Sequence, residues 1–307
     1  MSRIAVVGDV MLDAYFVCEV TGFSPEDDLA PKLRIQSKIY HPGGAANVAR
    51  CLRRWGVEVG LFGVTGNDFS SETLSSVLSS ERLERVCLTA LNDRPTTLKT
   101  RLVTPKSRQI VRMDEERFEP ITEATAVQLI DAIREFKPDA VVVSDYAKGV
   151  VTEELMSQLH QTCQLIVVDP KRPDFLFYGP VFAITPNVKE FQAYFNRSIR
   201  YSAKYLIVTK GEEGSIVLSG DRLVPAFEVA TRKREIGDPA GCGDAFLAAL
   251  AYSLCRGNDL PSACLAASAA GALAFDRLGV ACPSWEQVEQ ELKCKEYVCR
   301  RCSEPLS

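Results

Sequence analysis

Apolar residues in this chain come mostly in short unbroken runs. Ile4-Ala5-Val6-Val7 and Ala140-Val141-Val142-Val143 are the clearest, with similar runs at residues 165–168, 181–184 and 205–208 and a further strand pattern over 58–62. Each has the length of a strand, and an unbroken apolar run suits a strand covered on both faces. Between the runs, apolar positions recur at helical spacing over residues 43–55, 122–136, 152–160 and 188–195, and three more helical segments follow residue 243. Regular alternation of strand and helix predicts a parallel sheet with helices on both sides. Two stretches depart from this pattern. Residues 15–40 and 96–113 alternate apolar and polar positions around the turns Gly22-Phe23-Ser24-Pro25 and Thr104-Pro105-Lys106-Ser107, as exposed strands joined by turns do. They predict a small second sheet standing off the first. No internal repeat and no Pro/Gly/Ser linker divides the sequence. The expectation is one α/β domain over residues 1–307, with lid segments at about 14–40 and 95–114.

Composition then removes several classes of function. A chain of 307 residues, 46% hydrophobic and 25% charged, can bury a substantial core. Its net charge of −4 and pI near 5.5, with basic residues scattered, speak against nucleic acid as a primary partner. No apolar run reaches the ~18 residues a membrane span needs, so no membrane role is expected. The sequence enters its first strand at Ile4, too early for a signal peptide, and a cytoplasmic location is expected. On that reading the 11 cysteines are reduced thiols, most of them alone in apolar surroundings. The tail differs. Cys294, Cys299 and Cys302 have the spacing C-x4-C-x2-C, compatible with a metal or with incidental thiols at a frayed helical end.

The strongest chemical signal is Gly237-Asp238-Pro239-Ala240-Gly241-Cys242-Gly243-Asp244, running into an apolar helix. Glycines ahead of a helix let backbone N–H groups converge where the helix dipole is positive. Such a turn can hold the charge that develops on a transferred phosphoryl group. An Asp in the helix's first turn is placed to take a proton from a hydroxyl. A plain Gly-rich turn with a helix-start carboxylate would look the same.

Two further motifs sharpen the reading. Pro42-Gly43-Gly44-Ala45-Ala46-Asn47-Val48-Ala49 and Thr185-Pro186-Asn187-Val188-Lys189-Glu190 stand upstream of the Gly-rich turn. With all three motifs in this order, the chain resembles the ribokinase-like (PfkB) carbohydrate kinases over essentially its whole length. The resemblance implies a three-layer α/β/α core with a mostly parallel sheet and a small β-sheet lid. It also implies a sugar kinase that uses ATP and Mg²⁺, admits a monovalent cation, and pairs through the lid into a homodimer. Asp244 matches the catalytic base, and Ala240, Gly241, Cys242 and Gly243 match the anion-hole turn, with Ala240 on the nucleotide side. Asp13, Gly43, Gly44 and Asn47 match sugar contacts, and Thr209 and Gly211 match nucleotide contacts. Asn187 and Glu190 match the magnesium pair. From the residues alone, Asn187 is equally an N-cap and Glu190 its capping-box partner.

Within that family, Gly8-Asp9-Val10-Met11-Leu12-Asp13, Lys99-Thr100-Arg101, Ser144-Asp145-Tyr146-Ala147-Lys148-Gly149 and Asp169-Pro170-Lys171 are similar to the bacterial heptose-phosphate kinases. Those enzymes phosphorylate the anomeric hydroxyl of a heptose 7-phosphate. A phosphorylated sugar needs cations at its far end. Lys99, Arg101 and Lys171, with Arg108, Arg112 and Lys148, fall in lid or strand-end segments where such a pocket would form. Any one of them could equally be a solvated surface charge, and Arg108 stands where those kinases usually have Gln. A ribokinase-like kinase for fructose, ribose or a keto-sugar acid is the alternative enzyme. A sugar- or nucleotide-binding regulator without catalysis is the alternative of another class.

Overall fold

The computed structural model describes residues 2–27, 29–106, 108–195, 201–219, 224–234, 237–277 and 279–301. Its main sheet starts with β1 (Arg3–Gly8), whose side chains divide strictly by parity. Ile4 and Val6 enter one hydrophobic core, and Ala5 and Val7 enter the other. β8 (Ala140–Ser144) divides in the same way, with Ala140 and Val142 opposed to Val141 and Val143. This is why the sequence shows unbroken apolar runs there: both faces of each strand are dry.

The other strands of this sheet are β4 (Glu58–Gly66), β5 (Arg85–Leu91), β9 (Ile166–Asp169), β10 (Ala183–Ile184), β11 (Tyr205–Thr209), β12 (Ser215–Ser219), β13 (Val224–Ala230) and β14 (Val298–Arg301). Their order is β14-β13-β12-β11-β10-β9-β8-β1-β4-β5. Pairing is parallel from β5 through β11 and antiparallel from β11 to the β14 edge. One face is covered by α1 (Ala45–Arg54), α2 (Phe69–Glu81), α6 (Cys242–Cys255), α7 (Leu260–Phe275) and α8 (Trp285–Glu291). The other face carries α3 (Glu123–Phe136), α4 (Glu153–Thr162) and α5 (Val188–Phe195). Local chemistry sets these helix starts: Thr122 and Thr152 each accept from the N–H three residues on. This is the ribokinase-like α/β/α architecture that the sequence predicts.

The second sheet has the order β3-β2-β6-β7, built from β2 (Val10–Phe23), β3 (Pro31–Gly44), β6 (Thr97–Val103) and β7 (Gln109–Glu115). β2 begins buried and ends exposed, so it leaves the core and continues into the lid.

Several elements differ from the reading of the sequence. The 43–55 helix begins two residues later, because Gly43 and Gly44 complete β3. α2 was not legible: it is serine-rich and buries only Leu74 and Leu78, too few for a helical stripe. β5 and β13 were also missed. The expected helical end of the chain is instead strand β14, with Cys299 opposite Val229. That overturns the frayed helix, and the tail offers no support for a metal. Among the described residues no group of three His, Cys, Asp or Glu side chains is arranged to hold one. Cys302 and residues 196–200, in the short connection ahead of β11, lie outside the described residues. Among the described residues, no helix is long and apolar enough to cross a membrane.

Candidate active site

The loops leaving β1, β8, β9 and β10 all open on one edge of the main sheet, where α6 begins. In open α/β sheets this edge, at the carboxyl ends of the strands, is where ligands bind. α6 starts from a turn that only glycine can make. Gly241 sits at φ 80°, and a Cβ there would come within 2.8 Å of Val280 and 3.0 Å of the Asn47 amide. No side chain caps the helix start, so its positive end faces the crevice open to an anion. Asp238 shapes the turn by accepting from the N–H groups of Ala240 at 3.0 Å and Gly279 at 2.9 Å.

Asp244 lies in the first turn of α6 and is only 2% exposed. Its Oδ2 accepts a 2.8 Å hydrogen bond from Asn47 Nδ2, and its Oδ1 accepts one of 2.8 Å from the Tyr146 hydroxyl. Asn47 is itself held, since its Oδ1 accepts from Arg50 Nη2 at 2.6 Å while Arg50 also donates to the Val280 carbonyl. Burial pushes the Asp244 carboxyl up to about 6, and the Asn47 and Tyr146 donors oppose the rise. Such a group is ionised at neutral pH and still basic enough to take a proton.

On the lid side, Asp13 of β2 is buried in an ion pair with Arg101 of β6 and stands opposite Lys99 in the β2–β6 register. Gly43 and Gly44 end β3 directly against Asp13 and the Asp9 carbonyl. Arg112 pairs with Asp114, and Lys148 with Glu116 at 2.7 Å. Lys99 has no carboxylate partner among the described residues. Its ammonium lies 4.7 Å from the centre of the Tyr146 ring, and burial pulls its proton affinity down. Asp13, Gly43, Gly44, Asn47, Lys99, Arg101 and Asp244 therefore gather around one crevice. Lys171 does not join them: its ammonium pairs with Glu190 at 2.9 Å, on the other side of the α6 start.

On that other side, Asn187 and Glu190 form a reciprocal capping box, each side chain accepting from the other's backbone N–H at 3.0 Å. Beside them is Asp169, at the end of β9. Burial, with Glu190 and Asp244 as like charges, raises its carboxyl well above the ordinary range. A cavity of about 370 Å³ adjoins this cluster. Thr209 and Gly211 line it together with Cys242, Gly243, Phe246 and Phe275. Ala240 stays out of the lining and gives its N–H to Asp238.

The model of the pfkB family of carbohydrate kinases matches residues 1–287. The chain belongs to this family. It is thus a sugar kinase, an enzyme that transfers phosphate to a carbohydrate. Among curated relatives, the bifunctional protein HldE of Hyphomonas neptunium is 35% identical over 94% of this chain and 63% of its own. The bifunctional protein HldE of Pasteurella multocida is 33% identical over 95% of this chain and 63% of its own. The chain therefore spans about 63% of the length of these relatives. Among solved structures, Escherichia coli phosphofructokinase-2 in complex with potassium superposes with a TM-score of 0.75. It is 20% identical and covers 95% of this chain and 98% of its own, a likeness of fold.

For this pfkB-family kinase, Asp9, Arg50, Tyr146, Asp169 and Asp238 went unassigned from sequence, although all five shape the crevice. Two carried a usable signal: Asp9 and Asp169 are carboxylates at the ends of apolar strand runs, where α/β enzymes place ligand groups. Arg50 is three residues after Asn47 on α1 and so shares its face. Tyr146 stands in the 144–149 motif of the resemblance, but nothing in that motif pointed to a role for its hydroxyl.

Proposed function

We propose that this kinase domain transfers the γ-phosphoryl group of ATP to the anomeric hydroxyl of a heptose 7-phosphate. The observation that carries the chemistry is the buried Asp244 carboxylate, fixed from both sides at the open start of α6. The acceptor hydroxyl gives its proton to Asp244 as its oxygen bonds to the γ-phosphorus. The bond from that phosphorus to the bridging oxygen breaks, and ADP leaves with the electron pair. The turn at Gly241, Cys242 and Gly243 faces the transferring group with the positive end of α6. Asp13, Asn47 and the backbone at Gly43 and Gly44 hold the sugar hydroxyls. ATP enters the cavity lined by Thr209 and Gly211.

Magnesium fits the residues present. Burial and the nearby charges of Glu190 and Asp244 make ionised Asp169 costly, with Lys171 as the opposing cation, and a divalent ion would relieve that cost. Asn187 and Glu190 would hold the ion through water, and bound there it would offset the charge of the triphosphate. A monovalent cation belongs to the same reading, since the phosphofructokinase-2 structure contains potassium. Substrates of this kind suit a cytoplasmic enzyme.

Three things support heptose 7-phosphate: the motif resemblance, the similarity to the HldE proteins, and the cations Lys99, Arg101, Arg112 and Lys148 on the lid side. Lys171 moves in this reading from the sugar phosphate to the triphosphate. The test is ADP release over a panel of sugars. Heptose 7-phosphate should react far faster than the unphosphorylated heptose, fructose or ribose. Preference for a neutral hexose or pentose would remove the heptose assignment.

A further inference from the structure

Tyr146 is supported by more structure than a surface tyrosine needs. The loop that carries it, residues 145–150, is gathered by one buried carboxylate: Asp9 accepts from the N–H groups of Tyr146 at 2.7 Å, Lys148 at 3.0 Å and Val150 at 3.2 Å. Ala147 is held at φ 56°, a left-handed conformation costly for a residue with a Cβ, and its N–H bonds Asp145 at 2.7 Å. Asp145 is fixed in turn by the Tyr178 hydroxyl at 2.7 Å and the Arg172 guanidinium at 3.2 Å. Gly44, at φ 56°, lies beside the ring, and a Cβ there would meet the Asp9 carbonyl at 2.5 Å. The Lys99 ammonium lies over the ring face. All of this delivers one hydroxyl to Asp244 Oδ1 at 2.8 Å.

We propose that Tyr146 is a positioning residue for phosphoryl transfer, its hydroxyl holding Asp244 in the orientation that meets the acceptor. The inference rests on Asp244 acting as the base. Tyr146 and Asn47 approach opposite oxygens of the carboxylate, so together they fix its rotation. Freed of one donor, the group turns, and small misplacements in such sites cost up to about 10²-fold in rate.

The same bond also sets the protonation of Asp244. Facing it are Asp13 from β2, Lys99 from β6, Asn47 backed by Arg50 from α1, and Asp169 at the end of β9. Burial and Asp13 disfavour the anion, while Asn47, Tyr146 and Lys99 favour it. Loss of the Tyr146 donor therefore raises the pH at which Asp244 becomes ionised.

The experiment compares wild type and Tyr146→Phe across pH with the best acceptor sugar. Tyr146→Phe should lower kcat by roughly 10–10²-fold with sugar and ATP KM within about threefold. The acidic limb of kcat should move about one pH unit upward. Placing 2,3-difluorotyrosine at position 146 keeps the ring and strengthens the donor, so it should move the limb downward even if Tyr146→Phe folds poorly. An unmoved limb in the fluorinated protein, or a Tyr146→Phe enzyme with wild-type kcat, overturns the proposal. Failure of the base assignment reads differently: Asp244→Asn would then retain wild-type turnover.

Discussion

The amide of Asn47 and the carboxylate of Asp244, 197 residues apart in sequence, share a buried hydrogen bond of 2.8 Å. The bond joins the first turn of α1 to the first turn of α6, so the two glycine-rich motifs build one site. Asn47 cannot swing to another partner, because Arg50 holds its oxygen at 2.6 Å and is itself tied to the 279–283 loop through Val280.

Asn47→Ala should therefore lower kcat by roughly 10–10²-fold, since Asp244 loses a fixing donor and the sugar loses a contact. It should also lower Tm, because Arg50 is left buried with fewer partners. Steady-state kinetics and a thermal melt on the same preparation check both. Unchanged kcat would separate Asn47 from the reaction.

The pH dependence follows from burial. Activity needs Asp244 ionised, so kcat/KM should fall below about pH 6 as the carboxyl takes a proton. Its effect on stability has the opposite direction from a salt-bridged Asp. The folded protein holds this proton more tightly than the unfolded chain, whose Asp titrates near 4. The cost of ionising it therefore appears as pH rises from about 4 to 6 and then stays constant. Asp244→Asn removes that cost. Its Tm relative to wild type should rise over this interval and level off above it, as melts at pH 4.5, 6 and 8 would show.

The capping box at Asn187 and Glu190 allows charge and structure to be tested apart. Glu190→Gln keeps an acceptor for the Asn187 N–H, so Tm should change little. The Mg²⁺ concentration for half-maximal rate should nevertheless rise several-fold, while sugar KM holds. Lys171→Met, which frees Glu190 from its ion pair, should lower that requirement at the cost of weaker ATP binding. Magnesium dependence unaltered in both would reduce the pair to a helix cap.

The lid suggests an assembly. Val20 and Phe23 on β2, with Ile35 and Ile39 on β3, are all exposed. Apolar side chains on an open sheet invite cover by a second copy, and a homodimer through the lid is expected. Sedimentation velocity over a hundredfold range of concentration should show a dimer that Phe23→Lys with Ile35→Lys dissociates. A wild-type monomer throughout that range would contradict it.

The sequence was most legible where burial was complete. Apolar runs such as 140–143 marked the parallel strands because both faces are dry, and the Gly-rich turn marked α6 because no other residue fits at Gly241. Legibility failed where an element draws stability from partners far along the chain. β14 exists because β13 offers it an edge, and α2 buries only two leucines, too few to mark a helix. The site divides in the same way. Asp244, Asn47 and Asp13 sit in motifs with local grammar. Tyr146 acts through a loop bound to Asp9, 137 residues before it, and nothing near Tyr146 reveals that bond. Lys171 was grouped with Lys99 and Arg101 through the Asp169-Pro170-Lys171 resemblance and its strand-end position, and neither says that its partner is Glu190.

The central claim is that Asp244 takes the acceptor's proton in this sugar kinase. Its most direct test is the single-turnover rate of Asp244→Asn, measured beside ATP affinity by calorimetry. The rate should fall by roughly 10²–10⁴-fold while ATP binds as in wild type. A variant that binds ATP normally and transfers the phosphoryl group within a few-fold of the wild-type rate would contradict the account.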